Sequence, residues 1–319
     1  MNLAPHLTHS NVKYCKADIM LLIELFKRIL FDFVRCPLQL IFNCFCYTVS
    51  SKTTNFRVNK MGIESIEDVC IILHHYAPYG IKFEKCFKGK IHVVGVGAVL
   101  HQLRHSGLQV NCFVADADAD YFATLQSTFS FVNFINTSGD KYDFRSYLNA
   151  PTLVNEGCSY YCMFNDNVGY ESDILSFIRG AKQSIVGLDL GVIGVGSNTY
   201  LTQSVFKNSF SPHVQTYGFL VRRELFDLFA IKFQWYLNSC ELKFLLKPAL
   251  CRVLEQGLSK FILKNKFGLG FFQNSVLITY RRRFYFLDLK KDWCGELGDS
   301  REVCEKPFVF DCPKNPVFK

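Results

Sequence analysis

A mixed α/β fold built on a parallel, doubly wound sheet is what the sequence predicts, and three observations predict it. Strand and helix signals alternate from about Lys90 to Phe233. A glycine pair, Gly95 and Gly97, joins the first of those strands to a helix. An acidic residue, Asp116, follows the next strand nineteen positions beyond Gly97. Alternation of this kind favours parallel strands, because each return to the same edge needs a helical crossover, and such crossovers are right-handed.

The elements follow in order. Lys90–Val94 reads as a strand entering the glycine pair, and Ala98–Ser106 as a helix that Gly107 stops. Leu108–Val114 is a second strand, Tyr121–Gln126 a helix and Phe129–Ile135 a third strand. Ser159–Phe164 is a fourth strand, Glu171–Lys182 a helix, and Ile185–Val195 a fifth strand broken by glycines. Thr199–Lys207 can add one more helix. His213–Val221 and Phe226–Phe233 then read as two strands joined by Arg222–Leu225, a link so tight that the pair must be antiparallel. Five parallel strands closed by a terminal hairpin match a methyltransferase-type Rossmann sheet better than a dehydrogenase sheet.

Composition sets the outer limits. The 319 residues suffice for one large domain or two modest ones, and 49% hydrophobic content with 32 Phe excludes a disordered chain. The net charge of +8 is spread along the chain and favours anionic partners such as RNA or acidic lipid. Fourteen Cys in a chain of this length, many inside apolar runs, read as reduced core thiols in a cytoplasmic setting rather than a disulfide framework.

Three segments are expected. Residues 1–62 carry an amphipathic helix from Ile19 to Val34, with Glu24, Arg28 and Asp32 on one face, ended by Pro37. The apolar run Leu38–Val49 is shorter than the ~20 residues a bilayer span needs. Residues 19–49 therefore either dock on the main domain or lie in the plane of a membrane surface. Residues 63–233 form the Rossmann-like domain. Residues 234–319 are an α+β extension, helical to about Lys266, with strand-like runs at Gly270–Tyr280 and Arg283–Leu289. Cations and rings alternate across Tyr280–Phe286, a mixture suited to single-stranded RNA or to a strand with one basic face.

Chemistry concentrates at the strand ends. Glycine at 95 and 97 lets the backbone turn and approach a ligand at a helix N-terminus, and the third glycine of a dinucleotide fingerprint is replaced by Leu100. Asp116 can accept both ribose hydroxyls of an adenosine-type cofactor. Asp118 and Asp120 alternate with it; three like charges so close leave one to face solvent or to cap the next helix. Asp140, in a Ser-Gly-Asp turn after the third strand, can hold an adenine amino group or simply form the turn. Asn165 and Asp166 end the fourth strand on the edge where ligands bind, and Asp166 can orient a nucleophile or accept a proton. Glu224 is placed near the same rim by the expected hairpin. No zinc-type cysteine spacing, P-loop or nucleophile elbow is present.

The segments Ile91–Gly97 and Phe113–Phe122 resemble the cofactor-binding segment of viral, coronavirus-type RNA-cap 2'-O-methyltransferases. That resemblance implies S-adenosylmethionine at Gly95, Gly97, Asp116, Asp118, Asp140 and Asn165, with Asp166 and Glu224 as catalytic residues. The two lysines of that family are missing, since the fifth strand ends Gly194-Val195-Gly196-Ser197. The chain also resembles the alphavirus-like capping methyltransferases: His101 follows Gly95 by six residues, and Val110-Asn111-Cys112 leads to Asp118. That likeness implies a catalytic-region role for His101 and a membrane-associated enzyme, although Asp120 stands where the family has arginine. The expected activity is S-adenosylmethionine-dependent RNA methylation, and the missing lysines leave open a degenerate domain that binds without catalysing. The alternatives are a nicotinamide-dependent oxidoreductase and a non-catalytic interaction module on the same scaffold.

Overall fold

Strands buried on both faces read as continuous apolar runs, and the computed structural model places such runs at the centre of one large sheet. It describes residues 65–87, 90–137, 143–154, 157–165, 168–169, 174–195, 197–200, 210–216, 218–234, 251–273 and 276–283. It also describes residues 48–55 and 308–309 and parts of a helix within residues 19–30.

In chain order the structure runs β1 (Thr48–Asn55), β2 (Val69–Tyr76), β3 (Phe83–Phe87), β4 (Lys90–Val94), α1 (Val96–Leu103) and β5 (Gln109–Ala115). Next come α2 (Ala119–Thr128), β6 (Asn133–Thr137), α3 (Asp143–Asn149), β7 (Tyr160–Asn165), β8 (Val168–Gly169), α4 (Ile174–Gly187) and β9 (Leu190–Gly194). The chain continues through β10 (Ser197–Tyr200), β11 (Phe210–Val214), β12 (Gly218–Arg222), α5 (Arg223–Phe233) and α6 (Gln256–Lys264). It closes with β13 (Gly268–Gln273), β14 (Val276–Arg283) and β15 (Phe308–Val309).

The main sheet has nine strands in the order β1-β14-β13-β9-β12-β7-β2-β5-β6. β6, β5, β2 and β7 are mutually parallel, β9 is parallel to β13, and β12 lies antiparallel to both β7 and β9. The seven strands from β6 to β13 thus form a mostly parallel α/β sheet, Rossmann-like in general, with β14 and β1 added antiparallel at one side. Helices cover both faces. Cys70, Ile72, Tyr161, Met163 and Phe219 pack with residues of α3, α5 and α6. Ile71, Leu73, Cys112, Val114 and Phe164 pack with residues of α1, α2 and α4. Alternate residues of β2 therefore feed opposite cores, as a period of two requires.

The expected terminal hairpin is not formed. Residues 226–233, expected as a strand, belong to α5, where Leu225, Phe226, Phe229, Ala230 and Phe233 are buried at helical spacing. β12 is the single reversed strand among the seven, and it is inserted between the fourth and fifth strands instead of ending the sheet. The feature that separated a methyltransferase sheet from other Rossmann-like sheets is thereby removed. The first strand is also displaced: among the described residues β4, the expected first strand, pairs with β3 in a separate two-stranded sheet, and β2 holds the central position.

At the N-terminus the helical residues between 19 and 30 place Leu25 against the first core. Ile19, Ile23, Phe26 and Leu30 are exposed on another side of that helix. Among the described residues no helix is long and apolar enough to cross a membrane.

Candidate active edge of the sheet

In an open α/β sheet ligands bind beyond the carboxyl ends of the strands, where successive connections leave in opposite directions. Here β2 is followed by β5 and β6 on one side, and the chain then returns to place β7 on the other. The switch point is the gap between β2 and β7, and it is lined by polar residues at the ends of both strands. His74 is in register with Asn165, and Tyr76 with Ala115, the residue before Asp116.

On one face, His74 Nδ1 and Ser146 Oγ of α3 are hydrogen-bonded at 2.9 Å, and Asn165 Nδ2 donates to Asp143 Oδ2 at 3.0 Å. His74 Nε2 is buried and has no hydrogen-bond partner among the described residues. On the other face, His75 Nε2 and Tyr121 Oη of α2 are hydrogen-bonded at 2.8 Å. Tyr76 packs edge-on against Tyr79 with centroids 4.9 Å apart. Burial, and then the neighbouring Asp116 carboxylate to which it is hydrogen-bonded, push the Tyr76 hydroxyl above its usual value. Asp116 itself is exposed and has φ 57°, a left-handed conformation that side chains other than Gly adopt at a cost.

Asn165 and Asp116 are accordingly brought to one edge. Asp118 begins α2 as its N-cap, Oδ1 accepting from Tyr121 N at 2.7 Å, so its carboxylate is engaged in holding the helix. Asp140 and Asp166 lie outside the described residues.

Gly95 and Gly97 do start a helix, but that helix follows β4 and not a strand of the main sheet. Gly97 N donates to Ile81 O at 2.8 Å. A Cβ at Gly97 would lie 2.7 Å from Ile81 Cγ2 and 2.9 Å from Ile81 O. Close packing on the segment after β2 accounts for the absence of a side chain. His101 is exposed on α1, with its ring 5.4 Å from that of Phe129, which follows the end of α2 far from the carboxyl edge.

Glu224 is on the opposite edge from Asn165. Arg222 is in register with Tyr160, the first residue of β7, whereas Asn165 is its last. Five residues at ~3.3 Å each separate the two ends, so Glu224 and Asn165 do not meet. Around Glu224, Lys182 pairs with Asp68 at 2.7 Å, Arg222 with Asp189 at 3.1 Å and Arg223 with Asp227 at 3.3 Å. Among the described residues no group of three or more His, Cys, Asp or Glu is arranged to hold a metal ion.

The polar pairs around His74, His75, Tyr76 and Tyr121 were not singled out by motif. Their one legible sign is His-His-Tyr closing the apolar run Val69–Leu73.

No family model and no curated protein matches the chain. Solved structures similar to it include a mannosyltransferase from Pyrobaculum calidifontis in complex with GDP-Man and Mn2+. That match has 10% identity and a TM-score of 0.38, covering 67% of this chain and 57% of that one. The inositol-1-phosphate CTP transferase from T. maritima matches at 12% identity with a TM-score of 0.31, covering 56% and 81%. A 4-diphosphocytidyl-2C-methyl-D-erythritol synthase from Anaerococcus prevotii matches at 12% with a TM-score of 0.35, covering 61% and 82%. This chain spans little more than half of the mannosyltransferase. These likenesses are of general α/β architecture and carry no argument about activity.

The strand order departs from the expected methyltransferase sheet, because the reversed strand lies between β7 and β9 and does not end the sheet. The expectations of a viral RNA-cap methyltransferase and of bound S-adenosylmethionine are therefore corrected. They rested on a terminal hairpin that is a helix and on a glycine turn that lies outside the main sheet.

Proposed function

We propose that this chain binds a nucleotide at the carboxyl edge of β2, β5 and β7. The observation that carries the reading is the polar cluster at the switch point, where the ends of three parallel strands meet. Its parts suit a nucleoside. The Tyr76–Tyr79 pair offers aromatic surface against which a base can stack. The exposed Asp116 carboxylate, set at the end of β5 in a constrained backbone, offers acceptors for a ribose diol. Asn165 adds an amide already oriented by Asp143. The ligand class coincides with the GDP-Man named for one structural neighbour, from which the proposal takes no support.

The test is calorimetric titration of the folded protein with ADP, GDP, UDP, CDP and the corresponding triphosphates, repeated with Asp116→Ala. Saturable binding of at least one nucleotide, weakened about tenfold by the substitution, is expected for loss of a charge-assisted hydrogen bond. No binding by any nucleotide, or equal binding by Asp116→Ala, refutes it. Once a nucleotide is found, nucleotidyl and glycosyl transfer from it are the reactions to assay.

A further inference from the structure

Beyond the proposed nucleotide edge, the opposite edge of the sheet holds two thiols in one core cluster. Cys158, just before β7, lines a cleft of about 460 Å3 together with Arg222 and Arg223. Cys70, the second residue of β2, lies fully buried in the same core cluster. The backbone holds them in place, because Ser159 N and Tyr160 N both donate to Asp68 O, at 2.8 and 3.2 Å, just ahead of β2. Cys70 donates its thiol hydrogen toward the Ile71 carbonyl at 3.8 Å, with Cys158 as a second side-chain neighbour, and accepts from Asn111 Nδ2 at 3.2 Å. As a thiol, Cys158 in turn donates to the Tyr160 carbonyl at 2.9 Å. Both are free cysteines, and Cys162, the third residue of β7, is a fully buried control in the same chain.

We propose that Cys158 is an oxidisable thiol site reached through this cleft, with Cys70 as its resolving partner, the two closing to a disulfide under hydrogen peroxide. The arrangement is that of a redox site, with one thiol facing an opening beside cations and a second thiol in the same core cluster. In the first step the Cys158 sulfur attacks one peroxide oxygen. An S–O bond forms, the O–O bond breaks, and the departing hydroxide takes the thiol proton to leave as water. Cys158 is oxidised by two electrons to a sulfenic acid. The Cys70 sulfur then attacks the Cys158 sulfur, an S–S bond forms, and the S–O bond breaks. The leaving hydroxide takes the Cys70 proton as a second water.

The protonation balance favours this division of labour. The hydrogen bond from Cys70, with smaller help from backbone N–H groups and the Arg223 guanidinium, holds the Cys158 thiol below its ordinary value against the cost of burial. Donating that hydrogen bond, together with burial, pushes Cys70 well above it. Cys158 is therefore the attacking sulfur and Cys70 the one that follows.

Full-length protein treated with hydrogen peroxide under native conditions, alkylated, digested without reduction and mapped by mass spectrometry tests the assignment. The expected result is a Cys70–Cys158 linked peptide lighter by two hydrogens, with Cys162 still alkylatable after unfolding. In Cys70→Ser the sulfenic acid persists at Cys158 and is captured by dimedone. Absence of the linked peptide from wild-type protein, or oxidation of Cys162 as fast as Cys158, overturns the proposal. The wild-type mapping needs no variant to fold, and nucleotide binding plays no part in its readout.

Discussion

At the carboxyl ends of β2 and β7, side chains meet through single hydrogen bonds, His74 with Ser146, His75 with Tyr121 and Asn165 with Asp143. At the amino ends of the same strands, charges close on one another in Lys182–Asp68, Arg222–Asp189 and Arg223–Asp227. Lys182–Asp68 ties the start of β2 to α4, Arg222–Asp189 joins the end of β12 to the turn before β9, and Arg223–Asp227 lies within α5, where Asp227 also accepts from Tyr161 Oη of β7 at 2.9 Å. Lys182 also donates to the Ser65 carbonyl, and Arg222 to the Leu190 carbonyl at 2.9 Å. A charge whose donors are spent on protein acceptors is a clamp, whereas a singly hydrogen-bonded pair at an open strand end can exchange its partner for a ligand at smaller cost. The difference assigns stability to the amino edge and binding to the carboxyl edge.

The largest effect expected from breaking the clamp is at Asp68. Asp68→Ala leaves Lys182, a nearly buried ammonium, without its carboxylate. A loss of about 3 kcal/mol in denaturant unfolding is expected, with nucleotide binding intact in the protein that remains folded. A loss of binding without a loss of stability would reverse the assignment of the two edges.

Gly97→Ala separates packing from ligand contact. A methyl group 2.9 Å from the Ile81 carbonyl forces the α1 start away from the segment after β2. The expected cost is about 2 kcal/mol by thermal or urea unfolding. A stable Gly97→Ala protein would restore the glycine turn as an open, ligand-facing element.

A smaller effect belongs to Asp118→Ala. Removing an N-cap costs about 1 kcal/mol, and α2 begins beside Asp116, so amide exchange of its first turn should quicken. Unchanged exchange at Tyr121 would show that the cap is not formed in solution.

Alkaline titration adds a further contrast. Burial and the adjacent Asp227 push the Tyr161 hydroxyl far above the usual 10.0, and burial with Asp116 raises Tyr76 more modestly. The folded state holds these protons more tightly than the unfolded chain, so their contribution is complete below about pH 10. It falls as pH rises toward the folded-state values. Tyr161→Phe should flatten that alkaline loss more than Tyr76→Phe does, as read from urea midpoints between pH 9 and 11. Equal slopes would refute the stronger burial of Tyr161.

Much of the α/β alternation could be read from the residues. Lys90–Val94, the strand at 109–115, the helix at 119–128 and the strand at 160–165 all lie where periodicity put them, within a few positions. What could not be read was which strand leads the sheet. Val69–Leu73 is apolar at every position because both its faces are buried, so it lacks alternation, and the more conspicuous Gly95 and Gly97 drew the first strand to β4. Phe226–Phe233 was misread for the same reason: in a Phe-rich chain the helical spacing of Phe226, Phe229 and Phe233 is hidden among apolar neighbours. Asn165 and Asp116 were legible because strand ends in such sheets carry polar residues. Their partners, Asp143 from α3 for Asn165 and Tyr76 from β2 for Asp116, are brought there by packing that no local pattern encodes.

The central claim, that the carboxyl edge is the binding edge, is tested most directly by photolabelling. An azido-substituted nucleoside diphosphate is crosslinked to the native protein, with unmodified nucleotide as competitor, and the labelled peptides are sequenced. Competable label on the peptides holding Tyr76, Tyr79 and Asp116 is the predicted result. Competable label on Cys158–Tyr160 or Arg222–Asp227, with none at the carboxyl edge, would contradict it.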